Sequence, residues 1–162
     1  METPKVNLIP QGSHTKSPSL YVKGAEHAME FYKQAFGAQE LCRVPAPDGT
    51  LMCGAFKIGD SILFLYDQSP SLGALGPNAI GGTPVLIHLY VEDADALFEQ
   101  AVNAGASVRA PLEDQRWGDC YGVVQDPFGH SWGLASHKEV SHKAGLAKIV
   151  SANGAETKRK ND

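Results

Sequence analysis

Few side chains in this chain are spaced for chemistry, and those that are fall in its second half. His88 stands in the strand-like run from Pro84 to Val91, where alternation places Leu86, His88 and Tyr90 on one face and Ile87, Leu89 and Val91 on the other. An imidazole there is either a ligand-binding or acid–base group titrating near neutral pH, or a buried ring satisfied by a neighbouring hydrogen bond. Further on, Gln115-Arg116-Trp117-Gly118-Asp119 sets an aromatic ring among polar residues, beside a glycine that frees the backbone for a turn. Trp117 either stacks on a planar ligand or plugs the end of a barrel, and Gln115 and Asp119 either orient a polar group or are solvated. Cys120 follows a carboxylate, which raises rather than lowers a thiol pKa and argues against a cysteine nucleophile. No phosphate-cradling glycine loop and no Ser/His/Asp motif is present, so the residues leave a catalytic group unidentified and the question of enzyme or binder open.

These side chains need a scaffold, and composition bounds it. The chain has 162 residues, 43% apolar and 20% charged, which fits one domain or two small halves around a shared core and excludes wholesale disorder, collagen and coiled coil. Its apolar runs are far shorter than the roughly 20 residues a membrane-crossing helix needs, and its opening residues lack a signal-peptide core, so the expectation is a cytoplasmic protein that engages no membrane. Cys42, Cys53 and Cys120 are odd in number and widely spaced, which predicts free thiols. The net charge of −4 divides into an acidic body and a basic tail from residue 138 onward. An acidic body without clustered Lys and Arg predicts no nucleic-acid partner and accommodates a neutral or cationic small molecule.

Residues 1–16 read as a flexible arm. A first unit, 17–67, opens with a short strand and continues with a helix whose apolar residues Ala25, Ala28, Met29, Tyr32, Ala35 and Phe36 form one stripe, stopped at Gly37. Three hairpin-linked strands follow, turned at Asp48-Gly49 and Gly59-Asp60. Residues 68–83, rich in Ser, Pro and Gly, read as a linker or lid. The pattern restarts in 84–137 with strand, helix and three strands, Gly105 serving as the helix C-cap; 138–162 is a basic tail. Tyr21-Val22 recurs as Tyr90-Val91 and Gly37-Ala38 as Gly105-Ala106. This recurrence predicts an α+β fold of two βαβββ modules.

The duplicated unit, with AMEFYKQAFGA, HLYVEDADALFEQAVNAGA, EDQRWGDCYGVVQDPFGHSW and the ending GLASH, resembles the vicinal oxygen chelate superfamily, which includes glyoxalase I, bleomycin-resistance proteins and extradiol dioxygenases, and within it the PhnB-like branch. The resemblance implies a curled mixed eight-stranded sheet around a cavity, helices outside, Leu86, His88 and Tyr90 facing that cavity, a small-molecule ligand and a homodimer. Metal-dependent members take four ligands from the first and fourth strands of each module. Here the matching places hold Ser19, Leu63, His88 and Gly133, one ligand type in four.

The resemblance therefore implies a small-molecule-binding protein of unidentified substrate, with no metal and no other cofactor. The implied binding residues are His88, Tyr90, Leu86, Trp117, Gln115 and Asp119. Two alternatives stay open: a metal-dependent lyase or dioxygenase in which a shifted register lets Asp67 or His137 contribute a ligand, and a protein that sequesters cationic antibiotics.

Overall fold

The computed structural model describes residues 9–10 and 12–138; the basic tail beyond residue 138 lies outside them. Two βαβββ modules form an α+β fold. The first comprises β1 (Ser19–Val22), α1 (Ala25–Phe36), β2 (Gln39–Pro45), β3 (Leu51–Ile58) and β4 (Ser61–Asp67). A short connecting helix, α2 (Pro77–Ile80), precedes the second: β5 (Leu86–Tyr90), α3 (Ala94–Asn103), β6 (Ser107–Asp114), β7 (Asp119–Gln125) and β8 (Ser131–His137). The eight strands divide between two four-stranded sheets, ordered β1-β4-β3-β2 and β5-β8-β7-β6, instead of joining in one. Each sheet pairs its first strand parallel to its last and is antiparallel elsewhere. In each module the helix crossover leaves the second strand running in the direction of the first, and the two hairpin reversals that follow bring the fourth strand back to that direction, so first and fourth strands pair parallel.

Helix α1 forms where its stripe predicts, and Ala25, Ala28, Met29, Tyr32, Ala35 and Phe36 are all buried. Its start has no local side-chain cap. The carboxylate of Asp67 at the end of β4 serves instead, Oδ1 accepting from the backbone N–H of Gly24 at 2.8 Å and Ala25 at 3.0 Å. Gly37, at φ 64°, ends the helix in the left-handed conformation that a glycine adopts without strain. In α3 the Asp93 carboxylate accepts the Ala96 N–H at 2.9 Å. Its C-cap is Ala104 in the right-handed region, so Gly105 stands one residue beyond the capping position expected of it.

The helices meet between the modules, and there the core sits. Tyr32 and Phe36 of α1 pack on Trp132 of β8 with ring centroids 5.5 and 4.6 Å away, and Tyr32 stacks on Phe56 of β3 at 5.1 Å. The buried Asp126 at the end of β7 ties this core together. Its Oδ2 accepts from the Tyr32 hydroxyl and the Trp132 indole N–H, each at 2.9 Å. Its Oδ1 accepts from the backbone N–H of Phe128 and His130, also at 2.9 Å each. The Asp-Pro-Phe-Gly-His turn is thus held by a carboxylate with four donors, which is how a buried charge avoids the penalty of burial. Burial, and then the Asp126 charge, push the Tyr32 phenol well above its ordinary pKa, so it stays a donor.

The connecting segment is partly ordered against this turn. Asn78 of α2 donates its side-chain N–H to the Pro127 carbonyl at 2.9 Å. No helix among the described residues is long and apolar enough to cross a membrane.

Candidate functional site

With both helices packed inward, each sheet turns its other face outward. On β5 the alternation holds: Leu86, His88 and Tyr90 are exposed, and Ile87 and Leu89 are half-buried against the core. His88 is therefore not a buried core histidine. Across the sheet, β5 pairs with β8 so that His88 faces Gly133, and β8 pairs with β7 so that Gly133 faces Val123 and Ala135 faces Tyr121. Gly133 has no side chain to separate its neighbours, and the His88 and Tyr121 rings stack over it, centroids 5.5 Å apart and planes 10° apart. A Cβ at 133 would lie 2.9 Å from Tyr121 Cε2, 3.0 Å from its Oη and 3.2 Å from His88 Nδ1. The Tyr90 ring lies 4.6 Å from His88, and Trp117 lies 6.3 Å from Tyr121. Four aromatic side chains from β5, β7 and the β6–β7 turn thus make one wall.

A single carboxylate sets its edge. Asp119 is buried at 3% exposure. Its Oδ2 accepts from the Tyr90 hydroxyl at 2.9 Å and the Trp117 indole N–H at 3.1 Å, and its Oδ1 lies 2.7 Å from His137 Nδ1. Burial alone would push the Asp119 carboxyl up, but the donors His137, Tyr90 and Trp117 outweigh it and hold the group below its ordinary range. The same hydrogen bond to Asp119, followed by burial, pushes the Tyr90 phenol up. The arrangement fixes two rings by their polar edges, presents their faces, and orients the His137 imidazole through Nδ1. It is an aromatic platform in which Asp119 hydrogen-bonds the polar edges of Tyr90 and Trp117.

Of the six residues picked out by sequence, the structure brings His88, Tyr90, Trp117 and Asp119 together. Leu86 shares their face at the far end of β5, paired with Ser131. Gln115 turns away: its amide donates to the Glu113 carbonyl at 3.2 Å and its backbone closes the β6–β7 turn on Asp119 at 2.7 Å. One member of the wall, Tyr121, and one partner of its carboxylate, His137, were not singled out as binding residues. Tyr121 is visible afterwards from its strand alternation with Asp119, whereas His137 required the β7–β8 pairing, Asp119 opposite His137, to be known. Cys120, on the opposite face of β7, is buried, and burial raises its pKa.

Of the four places that the resemblance assigns to metal ligands, one, His88, carries a usual donor. Strand pairing sets Ser19 opposite Phe64 and His88 opposite Gly133. The first-module counterpart of Gly133 is accordingly Phe64, and Leu63, expected there, points into the core at 2% exposure. The set Ser19, Phe64, His88 and Gly133 offers one imidazole, and the Tyr121 ring fills the volume a ligand side chain at 133 would occupy. Asp67 does not supply the deficit, because its carboxylate takes three backbone N–H groups, those of Gly24, Ala25 and Leu51. Among the described residues no three His, Cys, Asp or Glu side chains are grouped to hold a metal ion.

Comparison with known proteins agrees with this architecture. A family model described as the Glyoxalase/Bleomycin resistance protein/Dioxygenase superfamily matches residues 13–134. An uncharacterized protein of Mycobacterium tuberculosis (strain H37Rv) is 48% identical over 136 residues, covering 82% of this chain and 78% of that one. Among solved structures, TioX from Micromonospora sp. ML1 superposes with a TM-score of 0.61 at 25% identity, over 75% of this chain and 98% of TioX. A PhnB protein from Bacillus cereus gives 0.59 at 17% identity, over 76% of this chain and 99% of its own, which is a likeness of fold.

Proposed function

Because the chain belongs to the glyoxalase/bleomycin resistance protein/dioxygenase superfamily, we propose that it is a PhnB-like member that binds a small planar molecule on the outer face of its second sheet without a metal. The observation that carries this reading is the wall of His88, Tyr90, Trp117 and Tyr121 braced by Asp119. Stacked rings offer apolar area at little entropic cost, and the exposed imidazole supplies one polar contact, a composition common to small-molecule sites. The unmatched donor set at Ser19, Phe64 and Gly133 favours binding over metal-assisted lyase or dioxygenase chemistry.

The wall is open on one side, and a second chain closes it in this reading. The first sheet also turns an apolar face outward, where Tyr21 stacks on Tyr66 at 5.2 Å and Met52 is 56% exposed. A twofold homodimer that sets the first sheet of one protomer against the second sheet of its partner would cover both faces at once. Sedimentation equilibrium at micromolar concentration should then give twice the chain's 17.3 kDa mass, and a monomer would contradict it.

Tryptophan fluorescence tests the site directly, because Trp132 is fully buried and Trp117 lies on the wall. Planar heteroaromatics, neutral and cationic, should quench the wild type saturably and Trp117→Phe far less. His88→Ala should bind the same probes roughly five- to a hundredfold more weakly, the loss of about 1–3 kcal/mol. Quenching that persists in Trp117→Phe would reject the assignment. One equivalent of zinc, nickel, manganese or iron per chain after dialysis, by elemental analysis, would reject the metal-free part.

A further inference from the structure

A cavity lies away from the aromatic wall, in the cleft between the two modules. β1 and β5 are edge strands of their sheets, and their open edges flank a space of about 300 Å³ roofed by the segment that carries α2. Its lining is mainly apolar, with Leu20, Leu75, Ile80, Val85 and Ile87 among the contributing residues, and Ile80 and Val85 are exposed at its mouth. The roof is fixed, because Asn78 bonds the Pro127 carbonyl and packs so closely on Gly129 that a Cβ there would lie 2.5 Å from Asn78 Oδ1. Such a volume sits at the lower end of small-molecule pockets.

One chemical group stands out in this lining. His130 contributes to the cleft, and its Nδ1 is enclosed with no hydrogen-bond partner. That nitrogen lies 3.7 Å from Asp126 Oδ2, too far for a hydrogen bond but close enough for the carboxylate to choose the tautomer. A lone pair on Nδ1 would face the carboxylate oxygen and be repelled, whereas an N–H there is attracted; the proton therefore sits on Nδ1 and leaves the lone pair on Nε2. Asp126 already accepts four donors, so the ring is held by this field and by packing instead of by a bond. Burial, against the pull of Asp126, holds the His130 pKa below its ordinary value, which keeps the ring neutral at pH 7. The hydroxyl of Thr83, the other side of the cleft, is already engaged with the Val85 backbone.

We propose that this cleft is a second binding site, for a small neutral apolar molecule that carries one hydroxyl donor, with His130 Nε2 accepting that donor. A one-ring phenol has the required shape and chemistry. An anion is excluded from partnership with Nε2, because a neutral acceptor nitrogen offers it no proton, and a molecule without a donor leaves the nitrogen unpaired.

Phenol and its methyl ether, anisole, are the probes, titrated into the full isotope-labelled chain and followed by amide and imidazole nitrogen resonances. Phenol should shift the amides of Ile80, Val85 and Ile87 saturably and move the His130 Nε2 resonance, and anisole should bind the same place roughly three- to tenfold more weakly. His130→Phe should take both probes with equal affinity, which separates the imidazole from backbone groups on the open strand edges. Ile80→Trp, made at an exposed position, should fill the mouth and abolish both; should His130→Phe not fold, this variant and the wild-type Nε2 shift decide the matter. Equal affinity for the two probes in the wild type, retained discrimination in a folded His130→Phe, or saturable shifts confined to His88 and Trp117 would each overturn the proposal.

Discussion

Gly133→Ala is the substitution with which the aromatic wall is tested most sharply, since one methyl group is added at a position where the backbone is ordinary and only side chains object. The new Cβ would meet Tyr121 Cε2 at 2.9 Å and Tyr121 Oη at 3.0 Å. The ring must move by several tenths of an ångström and lose its parallel stack on His88. Overpacking of this kind costs about 1–3 kcal/mol and a lost aromatic stack about 0.5–1.5 kcal/mol, whereas replacing glycine by alanine in a strand returns about 0.5–1 kcal/mol of backbone entropy. The net expectation is a loss of about 2 kcal/mol, or a fall in melting temperature of roughly 4–8 °C, for a chain of this size. The decisive measurement is the same substitution in a Tyr121→Ala background, by urea denaturation at fixed protein concentration. With the ring gone the methyl group meets only the exposed His88 side chain, so the double variant should be no less stable than Tyr121→Ala alone and can exceed it by the backbone gain. If Gly133→Ala costs as much without the Tyr121 ring as with it, the steric account of the wall is wrong.

Three further outcomes follow from the same geometry. Asp119→Asn should lose about 1.5–3 kcal/mol at pH 7, because it weakens the bonds that hold His137, Tyr90 and Trp117; the carboxyl is held below its ordinary pKa, so the wild-type advantage is complete above the unfolded value near pH 4 and shrinks as pH falls through the lower folded value, which urea midpoints at pH 7 and pH 3 would check. Tyr32→Phe removes one of four donors from the buried Asp126 and should cost about 1–3 kcal/mol by thermal or chemical denaturation, with no loss of probe binding at the wall. Thiol labelling under native conditions should modify exposed Cys42 first and Cys53 next, and reach buried Cys120 only through opening of the structure, as peptide mapping over time would record.

The local periodicities were sufficient for the modules. A helical stripe from Ala25 to Phe36, alternation from Leu86 to Tyr90 and the recurrence of both in one order depend on neighbours a few residues apart, and each is found in the structure. The same local reasoning set His88, Tyr90, Trp117 and Asp119 down as candidates, and these four do meet. What it left undecided was pairing. Whether Leu63 or Phe64 stands opposite Ser19 depends on strand register, where a one-residue slip reverses the face of every side chain, and only the assembled sheet fixes it. The stack of His88 on Tyr121 depends equally on a third strand that brings Gly133 between them. The carboxylates carry the clearest lesson. Asp67, Asp119 and Asp126 look alike in sequence, yet one caps a helix, one braces the aromatic wall and one joins two modules. Their donors come from residues as distant as Gly24, Tyr90 and Tyr32, and a buried carboxylate takes its role from whichever donors the completed fold delivers to it.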